Sequence, residues 1–494
     1  MRIKFIQKLI DRIRYGNLSY SIELNSFQKE VIEKIKEYQG KIKYQESKNK
    51  EKMFGYESAY STQDPLGMVL KKEGEIYRTV FEKSREHFIE LYETGILQAF
   101  SDFGIIPKFE LTNYFIDNNP IIFKVEKLKI VPPQYWTMGM IKDEAKLTLE
   151  INEILNVFGY KLIDGHPFNV AFKNSKPVFF DFGSFVKMDN KEDLSESLSY
   201  GIYQYNIIPL IMHQLNTYWS KRHILSIENG ITCIPCVDYS DSFEVKSAVK
   251  RFRNIKNSSI LKRITRKKKK YIKSSDIDAL FNSNSKVNSY WGKYYGNNQE
   301  GFIEERYQKV LDCINKHAKN PRSLLDLAGN AGHFAALARK NTNIKDIVSV
   351  DYDENAIELG RKIHKEDDID FYLLYFMQHH LINVDKIAKP FKADVVSALA
   401  VTHHLLLTQK YGIDYMLQTF KKYSNKYVFI EFCPLGLFSH YLKELPKIPD
   451  WYTTEWFEEN FKKYFKLLEK KVTARAEFKG KEYDHRVLFA GEIL

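Results

Sequence analysis

The chain has 494 residues, of which 44% are hydrophobic and 14% aromatic, the composition of a folded globular protein. The length predicts two or three domains. No apolar run reaches the roughly 18–20 residues that span a membrane, and no signal peptide is visible, so we expect a cytoplasmic protein without a transmembrane segment. The cysteine content excludes a disulfide framework, since thiols occur only at Cys233, Cys236, Cys313 and Cys433.

Cys233 and Cys236 have the Cys-x-x-Cys spacing of a metal or redox site. A structural zinc site of this type needs a second pair, and the sequence has none at the required spacing. We therefore interpret the pair as an incidental feature of a loop, and we expect no metal.

The segment before residue 55 is predicted to be helical and strongly charged. Apolar residues recur at helical spacing from Ile3 to Ile13, with lysine and arginine between them. A basic amphipathic helix can lie on a membrane surface. Such a stripe more often packs against the body of a protein, and that is our interpretation.

Residues 56–245 are predicted to form an α+β domain. The pattern indicates a strand and then a helix over residues 75–92, a strand over 121–125 and an amphipathic helix over 145–159. Next come Asp164 and Asn169, in the spacing Asp-x-x-x-x-Asn, and a strand that ends in Asp181-Phe-Gly. This segment resembles the catalytic and magnesium-binding loops of kinase-fold phosphotransferases.

The kinase resemblance implies a proton-accepting role for Asp164 and magnesium binding by Asn169 and Asp181. The sequence before them lacks both the glycine-rich loop and the Val-Ala-Ile-Lys strand of kinases. We therefore favour a kinase-like lobe that binds substrate or serves as a scaffold. A lobe that binds a nucleotide or transfers phosphate is the alternative.

The net charge of +12 originates in one segment, from Lys250 to Lys273, which holds twelve lysines and arginines and no acidic residue. Enzymes that act on nucleic acids usually spread basic residues over a face, whereas a single charged run is more often a solvated linker. We interpret residues 246–289 as a basic and polar linker. Contact of this run with anionic lipid, glycan or RNA is the alternative.

The C-terminal domain is predicted to span residues 290–494. At residues 323–334 the sequence reads Ser-Leu-Leu-Asp-Leu-Ala-Gly-Asn-Ala-Gly-His-Phe. An apolar run ending in Asp326, a turn with Gly329 and Gly332, and a helical run form the strand–turn–helix opening of an open α/β sheet. Ligands of such sheets bind beyond the carboxyl ends of the strands, where glycine lets the backbone approach them.

A second buried strand, at residues 347–351, ends in Asp351. A carboxylate there can accept two hydrogen bonds from ribose hydroxyls. Asp326 takes the place where a phosphate would lie, and the sequence has neither a longer glycine-rich fingerprint nor a P-loop lysine. The ligand should therefore be cationic or carry an amine, which points to S-adenosylmethionine rather than to a nicotinamide or a nucleoside triphosphate.

A fourth strand, residues 393–400, is apolar throughout, as in a parallel strand covered on both faces. Its end brings His403 and His404 to the edge that holds Asp326. Methyl transfer to a hydroxyl needs two aligned atoms and removal of a proton. Because histidine titrates near neutral pH, His403 or His404 is the candidate base. Glu431, at the end of the fifth strand, is a candidate for binding substrate or orienting a histidine.

The C-terminal domain resembles class I S-adenosylmethionine-dependent methyltransferases in four successive motifs, at residues 324–334, 349–354, 394–405 and 429–434. It is most similar to a two-part bacterial family with some nodulation-associated members, and that likeness also covers residues 64–67, 77–88, 142–149 and 162–185. The sequence departs from the family at Ala328, where the family has glycine. At residues 377–380, Met-Gln-His-His replaces the acidic position that usually follows the third strand.

This resemblance implies a Rossmann-like seven-stranded sheet that closes with an antiparallel hairpin over residues 465–473 and 485–491. It assigns Asp326 to the amino acid end of S-adenosylmethionine and Asp351 to its ribose. The implied cofactor-binding residues are Asp326, Ala328, Gly329, Asn330, Gly332, Phe334, Asp351, Tyr352 and Gln378.

The sequence thus predicts an α/β protein with an N-terminal helical segment (1–55), an α+β kinase-like domain (56–245), a linker (246–289) and a methyltransferase domain (290–494). The expected reaction is O-methylation of a saccharide or related small-molecule hydroxyl, an acceptor suggested only by the family's association with nodulation. Two alternatives stay open. One is a phosphotransferase or bifunctional enzyme built on Asp164, Asn169 and Asp181, and the other is a non-catalytic binding protein.

Overall fold

The computed structural model describes residues 24–59, 66–117, 119–188, 272–281, 300–377, 384–439 and 441–494, and short pieces between residues 198 and 252. The predicted amphipathic helix near the N terminus, the Cys233 and Cys236 pair, most of the basic segment and Gln378 lie outside these residues. Within the described ranges, no helix combines the length and the apolar character needed to cross a membrane.

The N-terminal part, up to residue 281, combines helices with short strands. Its helices are α1 (Ser26–Tyr38), α2 (Arg85–Glu93), α3 (Ile96–Asp102), α4 (Met138–Val157) and α5 (Ser274–Phe281). Its strands are β1 (Glu51–Lys52), β2 (Glu57–Ala59), β3 (Val69–Lys72), β4 (Glu75–Val80), β5 (Phe109–Leu111), β6 (Tyr114–Phe115), β7 (Ile121–Val125), β8 (Tyr160–Leu162), β9 (Val170–Lys173), β10 (Lys176–Phe179), β11 (Phe185–Lys187), β12 (Ile227–Glu228) and β13 (Ile231–Thr232).

Five of these strands form an antiparallel sheet in the order β2-β3-β4-β7-β5. The apolar side chains of β7 are buried, and Phe123 stacks on Phe88 of α2 with ring centroids 5.4 Å apart. Stacked rings in a core add to the free energy gained by burying their area. The predicted strand–helix unit over residues 75–92 and the strand over 121–125 are therefore confirmed.

Helix α4 is almost wholly buried and begins earlier than its predicted start at residue 145, because the Thr137 side chain accepts a hydrogen bond from Met140 N and caps it. Helix α5 packs against it. Ser274 N donates to Glu153 Oε1 at 2.9 Å, and Ile277 and Leu280 are buried. The segment predicted as a polar linker thus contains a packed helix, whose two apolar residues lie three positions apart on one face.

The C-terminal part alternates strands and helices. Its helices are α6 (Glu300–His317), α7 (His333–Asn341), α8 (Glu354–Ile363), α9 (Val384–Ala388), α10 (Ile413–Tyr423) and α11 (Thr454–Phe461). Its strands are β14 (Ser323–Leu327), β15 (Asp346–Asp351), β16 (Asp370–Leu373), β17 (Ala393–Ala398), β18 (Ser424–Phe432), β19 (Phe465–Phe478) and β20 (Lys481–Ile493).

These seven strands form one sheet in the order β16-β15-β14-β17-β18-β20-β19. The strands from β16 to β18 are parallel, and β20 runs antiparallel to both of its neighbours. Almost every residue of β17 and β18 is buried, as expected for parallel strands covered on both faces. The predicted seven-stranded sheet with a closing hairpin is confirmed.

The last helix and the closing hairpin follow one another directly. Helix α11 starts at Thr454, because the Thr453 side chain accepts a hydrogen bond from Trp456 N, and β19 begins at Phe465. The hairpin strands are longer than predicted. Their pairing continues to Phe478 and Lys481, and the two residues between them, Lys479 and Gly480, both have positive φ, as in a tight two-residue hairpin turn.

Helix α8 connects the two parts of the chain. Arg361 Nη2 of α8 lies 2.6 Å from Asp143 Oδ2 of α4, and Arg361 is buried. The Glu354 carboxylate accepts a hydrogen bond from Met138 N, at the N terminus of α4, where the helix dipole favours an anion. Buried residues of both parts belong to one hydrophobic cluster.

Candidate functional site

The turn between β14 and α7 has a strained backbone. Ala328 and Asn330 have φ angles of +56° and +52°, and Gly332 has +79°. The left-handed conformation is unfavourable for a residue with a Cβ, less so for asparagine, and is freely adopted by glycine. A glycine at position 328 would adopt this conformation without strain. Strain of this kind concentrates at ligand-binding sites.

Asp326 in β14 is 2% exposed. Its Oδ1 accepts a hydrogen bond from Ser397 Oγ of β17 at 2.8 Å. Among the described residues, no donor lies within hydrogen-bonding distance of Oδ2. Burial, with a smaller effect of the nearby Asp351 carboxylate, raises the pKa of Asp326 to about 7. A buried oxygen without a donor costs free energy, which a ligand that donates a hydrogen bond would recover.

Asp351 ends β15 and is 5% exposed. The backbone N–H groups of Asn330 and Asp353 each donate to one of its two oxygens at 2.9 Å. These bonds fix the carboxylate against the turn and leave each oxygen able to accept a further donor. Burial raises the pKa of Asp351 to about 6.

The backbone at Gly329 passes very close to the neighbouring strands. A Cβ there would lie 2.2 Å from Ser349 Oγ and 2.5 Å from Asp326 Oδ2, so glycine is required. In the described part of the chain, neither Asp326 nor Asp351 forms an ion pair. Two carboxylates beside a glycine turn suit a ligand that carries positive charge and hydroxyl groups.

The other predicted cofactor residues lie around this turn, except Gln378, which is outside the described residues. The side-chain Oδ1 of Asn330 accepts from Ala331 N at 2.8 Å. Tyr352 follows Asp351, is 49% exposed and meets Tyr375 edge to face. The Phe334 ring is instead buried in the core, where it packs against Tyr307 with centroids 5.3 Å apart.

Glu431, a predicted catalytic residue, is completely buried at the end of β18. Its Oε1 lies 3.1 Å from Arg306 Nε of α6 and accepts a hydrogen bond from Thr473 Oγ1 at 2.9 Å. Its Oε2 accepts from Ala400 N at 3.1 Å. Ala400 begins the loop to the histidines and has a positive φ of 52°. The contacts of Glu431 therefore hold this loop in place.

His403 and His404 adjoin one another with ring centroids 4.1 Å apart. His403 is 5% exposed, and no partner in the described structure bonds its Nδ1. Burial, and then the positive charge of Arg486, hold the pKa of both histidines below the usual range, well below it for His403. The surroundings of this pair therefore favour the neutral imidazole.

The predicted kinase-like residues lie in the N-terminal part. The Asp164 side chain is half exposed, and its main-chain oxygen accepts a hydrogen bond from Asn169 Nδ2 at 3.0 Å. Asp181 Oδ1 lies 3.1 Å from Nη2 of the buried Arg78 in β4. The other oxygen of Asp181 accepts a hydrogen bond from the Ser184 hydroxyl. The carboxylate of Asp181 is thus already engaged on both sides.

Cys313, His317 and Glu469 bring three possible metal-ligand atoms together on α6 and β19. Glu469 Oε2 is 2.9 Å from Lys316 Nζ and 2.6 Å from His317 Nε2, and these bonds lower the pKa of Glu469 to about 2. Burial raises the pKa of the Cys313 thiol to about 12, so the thiolate that a metal needs is unfavourable. We interpret the group as an ion-pair cluster.

Several residues of this site were not predicted from the sequence: Arg306, Ser349, Ser397, Thr473, His485 and Arg486. Ser397 lies inside an apolar strand, where a single serine is a weak signal. Arg306 and Arg486 come from the first helix and the last strand of the C-terminal part. For Arg486, the sequence offered one signal: a basic residue directly before the apolar run of a predicted hairpin strand.

No protein-family model matches the chain. The chain is 23% identical over 420 residues to the nodulation protein NoeA of Rhizobium meliloti (strain 1021), covering 76% of this chain and 84% of that protein. One similar solved structure is the N-methyltransferase NodS from Bradyrhizobium japonicum WM9 in complex with S-adenosyl-L-homocysteine, with a TM-score of 0.30 and 11% identity over 40% of this chain and 91% of NodS. Another is the 16S rRNA methylase ArmA, with a TM-score of 0.28 and 20% identity over 41% of this chain and 89% of ArmA.

Proposed function

We propose that this protein is an S-adenosylmethionine-dependent methyltransferase that acts on a hydroxyl group of a saccharide or related metabolite. The observation that carries the proposal is the placement of Asp326 and Asp351 on adjacent parallel strands around the turn at residues 328–332. The order of the seven strands, with one reversed strand near the end, supports it as well. The saccharide acceptor rests on analogy with the nodulation-protein relative.

In this proposal, S-adenosylmethionine supplies a methyl group bonded to a positively charged sulfur. Asp351 accepts hydrogen bonds from the ribose hydroxyls, and Asp326 Oδ2 accepts one from the ammonium of the amino acid end. Gly329 and Gly332 let the backbone approach the ligand. The half-exposed Tyr352 lies next to Asp351, within reach of the adenosine. Phe334 supports the helix from the core instead of touching the ligand.

For the transfer itself, His403 and Glu431 take different roles. A neutral imidazole would accept a hydrogen bond, and then a proton, from the acceptor hydroxyl as that oxygen bonds to the methyl carbon and the carbon–sulfur bond breaks, its electrons remaining on sulfur. His403 is neutral at pH 7, since its pKa is held well below the usual range. His404 is the second candidate base. Glu431 acts as a positioning residue through Ala400.

Calorimetry with S-adenosylmethionine and S-adenosylhomocysteine tests the proposal. We expect both to bind the wild type, and Asp351→Ala to weaken binding at least about 10-fold, because the ribose loses hydrogen bonds to a charged group. Asp346→Ala is the matched control, since Asp346 is exposed at the other end of β15. No binding to the wild type near millimolar ligand would instead favour a non-catalytic binding protein.

For the N-terminal part, we propose a kinase-like accessory domain, residues 56–245, that does not transfer phosphate. The ion pair of Asp181 with Arg78 supports this, because it occupies a carboxylate that a magnesium ion would require. Residues 290–494 would form the methyltransferase domain.

Binding of ATP in the presence of magnesium tests this second proposal. We expect none that depends on Asp181. Tight binding of ATP that requires magnesium and disappears in Asp181→Ala would favour the phosphotransferase or bifunctional enzyme. Arg78→Met removes the ion pair and leaves the Asp181 carboxylate free of it. Magnesium-dependent ATP binding that appears only in this variant would show that the ion pair is what prevents binding.

A further inference from the structure

Arg486 of β20 is buried at the edge of the sheet that carries the candidate histidines, with 7% exposure. Among the described residues, its Nε and Nη1 atoms have no hydrogen-bond partner and no carboxylate pairs with it. Its contact is a hydrogen bond with the Cys433 thiol, a weak acceptor. Since guanidinium stays charged in proteins, Arg486 is a buried cation without a counter-ion.

The buried carboxylate of Glu431 does not neutralise this charge. Glu431 Oε1 pairs with Arg306 Nε, and both Glu431 oxygens also accept hydrogen bonds from Thr473 and Ala400. Arg306 and Glu431 therefore balance one another. The group comprising Arg306, His403, His404, Glu431 and Arg486 keeps one net positive charge, because the low pKa of the histidines leaves them neutral at pH 7.

Burying an unpaired guanidinium opposes folding, and replacing a buried charge by an apolar residue is often stabilising. An uncompensated buried cation thus lowers the stability of the folded protein, and an anionic ligand that pairs with it would offset this loss. The planar guanidinium donates charge-assisted hydrogen bonds to carboxylate, phosphate or sulfate oxygens. On Arg486, Nε and Nη1 have no partner among the described residues, so each can donate one such bond.

Charge is divided across the site. Asp326 and Asp351, on the side we assign to the cationic cofactor, are acidic, whereas Arg486 lies beside the histidines on the side we assign to the acceptor. A cleft of about 410 Å³ lies next to this group, bordered by Arg306 and Thr473, which hold Glu431. Glu305, Lys309 and Arg475 also border the cleft, but these charges are paired, Lys309 with Glu305 and Arg475 with Glu482 and Asp484. The uncompensated positive charge on the acceptor side is therefore that of Arg486, whereas the cofactor side carries the two carboxylates.

We propose that the methyl acceptor carries an oxyanion, a carboxylate or a phosphate or sulfate ester, that binds Arg486 and so places the hydroxyl beside His403. This inference rests on the proposed function for its description of the ligand as an acceptor. The oxyanion site itself rests only on Arg486 and its surroundings, so the two can fail separately.

The test uses the full chain and simple anions as probes. Thermal unfolding is measured in sodium chloride and, at equal ionic strength, in sulfate, phosphate or acetate, for the wild type, Arg486→Met and Arg475→Met. Arg475 is the control, because it is an exposed arginine on the neighbouring strand, paired with Glu482 and Asp484. We expect oxyanions to raise the Tm of the wild type and of Arg475→Met, but not of Arg486→Met.

Titration with the most effective oxyanion should give an affinity about 10- to 100-fold weaker for Arg486→Met, as expected for the loss of hydrogen bonds to a charged group. In chloride alone, Arg486→Met should unfold at the same or a higher temperature than the wild type, because an unpaired buried charge is gone. A response to acetate alone indicates a carboxylate on the acceptor. A response to phosphate or sulfate indicates an ester.

Equal oxyanion responses in the wild type and Arg486→Met, or no response in the wild type, would overturn the inference. If Arg486→Met does not fold, Arg486→Lys decides, since it keeps the charge but loses the planar guanidinium and its Nε and Nη1 donors. An undiminished response in that variant also overturns the inference. S-adenosylhomocysteine binding to the same proteins, measured by calorimetry, tests the proposed function separately. Normal binding by Arg486→Met together with a lost oxyanion response is the expected combination.

Discussion

Arg306 Nε of α6 lies 3.1 Å from Glu431 Oε1 of β18, and both side chains are buried. The ion pair ties the first helix of the C-terminal part to the end of its fifth strand. Through Ala400 N, the same carboxylate holds the loop that carries the candidate histidines. The shape of the acceptor side thus depends on a contact between segments distant in sequence.

Removing one partner of this pair should lower the free energy of unfolding more than removing both charges. Arg306→Met leaves a buried carboxylate unpaired and should lower the free energy of unfolding by about 3 kcal/mol or more. The double variant with Glu431→Gln should recover part of that loss. Urea unfolding measures both, with Lys309→Met on the same helix as control, because that lysine is partly exposed. Equal losses in the Arg306 and Lys309 variants would contradict the assignment.

Asp326→Asn should stabilise the protein without ligand in a pH-dependent way. Burial raises the pKa of Asp326 in the folded state to about 7, against about 3.9 in the unfolded chain. The native state therefore binds the proton more tightly, and this contribution to stability is full below about pH 4 and lost as the pH rises through 7. The variant does not titrate. Its advantage should grow from near zero at pH 4 to on the order of 4 kcal/mol at pH 8.

Urea unfolding at several pH values measures this advantage. Asp346→Asn, at the exposed start of β15, is the control and should show no such trend. An advantage of Asp326→Asn that is independent of pH would refute a raised pKa. The variant should also lose affinity for S-adenosylmethionine, since it removes the negative charge that faces the ammonium.

Ala328→Gly should stabilise the fold by about 1 kcal/mol, because the left-handed backbone at Ala328 costs about that much for a residue with a Cβ. Ala331→Gly is the matched control in the same turn. Ala331 is buried and is not among the residues with positive φ, so its replacement should destabilise by a similar amount. Thermal unfolding compares the two. A loss of stability in Ala328→Gly would show that the turn does not have the described backbone.

The strands and the two carboxylates of the cofactor side could be predicted from the sequence because the information is local. An apolar run that ends in an acid is visible at Asp326 and again at Asp351. The electrostatics of the acceptor side could not be predicted in this way. Folding of the sheet brings Arg306 to Glu431 and Arg486 close to the histidines. The low pKa of His403 depends on its burial and on the nearby charge of Arg486.

Other elements of the N-terminal part were also predicted only where the signal is local. The start of α4 was not predicted, because its first turn depends on the Thr137 cap rather than on an apolar stripe. The packed helix α5 was not predicted, because its serine and aspartate residues are as typical of turns as of helix termini. The pairing of Arg78 with Asp181 joins distant segments, so no local pattern indicates that the carboxylate is engaged.

Arg361 and Asp143 should contribute to docking of the two parts of the chain. A double-mutant cycle of Arg361→Met and Asp143→Asn should give a coupling energy of about 1–3 kcal/mol, because the arginine is buried and also bonds Glu358. The exposed pair Arg475 and Glu482 should give less than about 1 kcal/mol. A coupling no larger than that of the exposed pair would mean that the contact does not hold the parts together.

The most direct test of the proposed cofactor site is a crystal structure with S-adenosylhomocysteine. We predict that the ribose hydroxyls lie within hydrogen-bonding distance of the Asp351 carboxylate and that the amino group lies beside Asp326 Oδ2. A nucleoside bound elsewhere, or an edge of the sheet filled by packed side chains with no room for adenosine, would contradict the assignment.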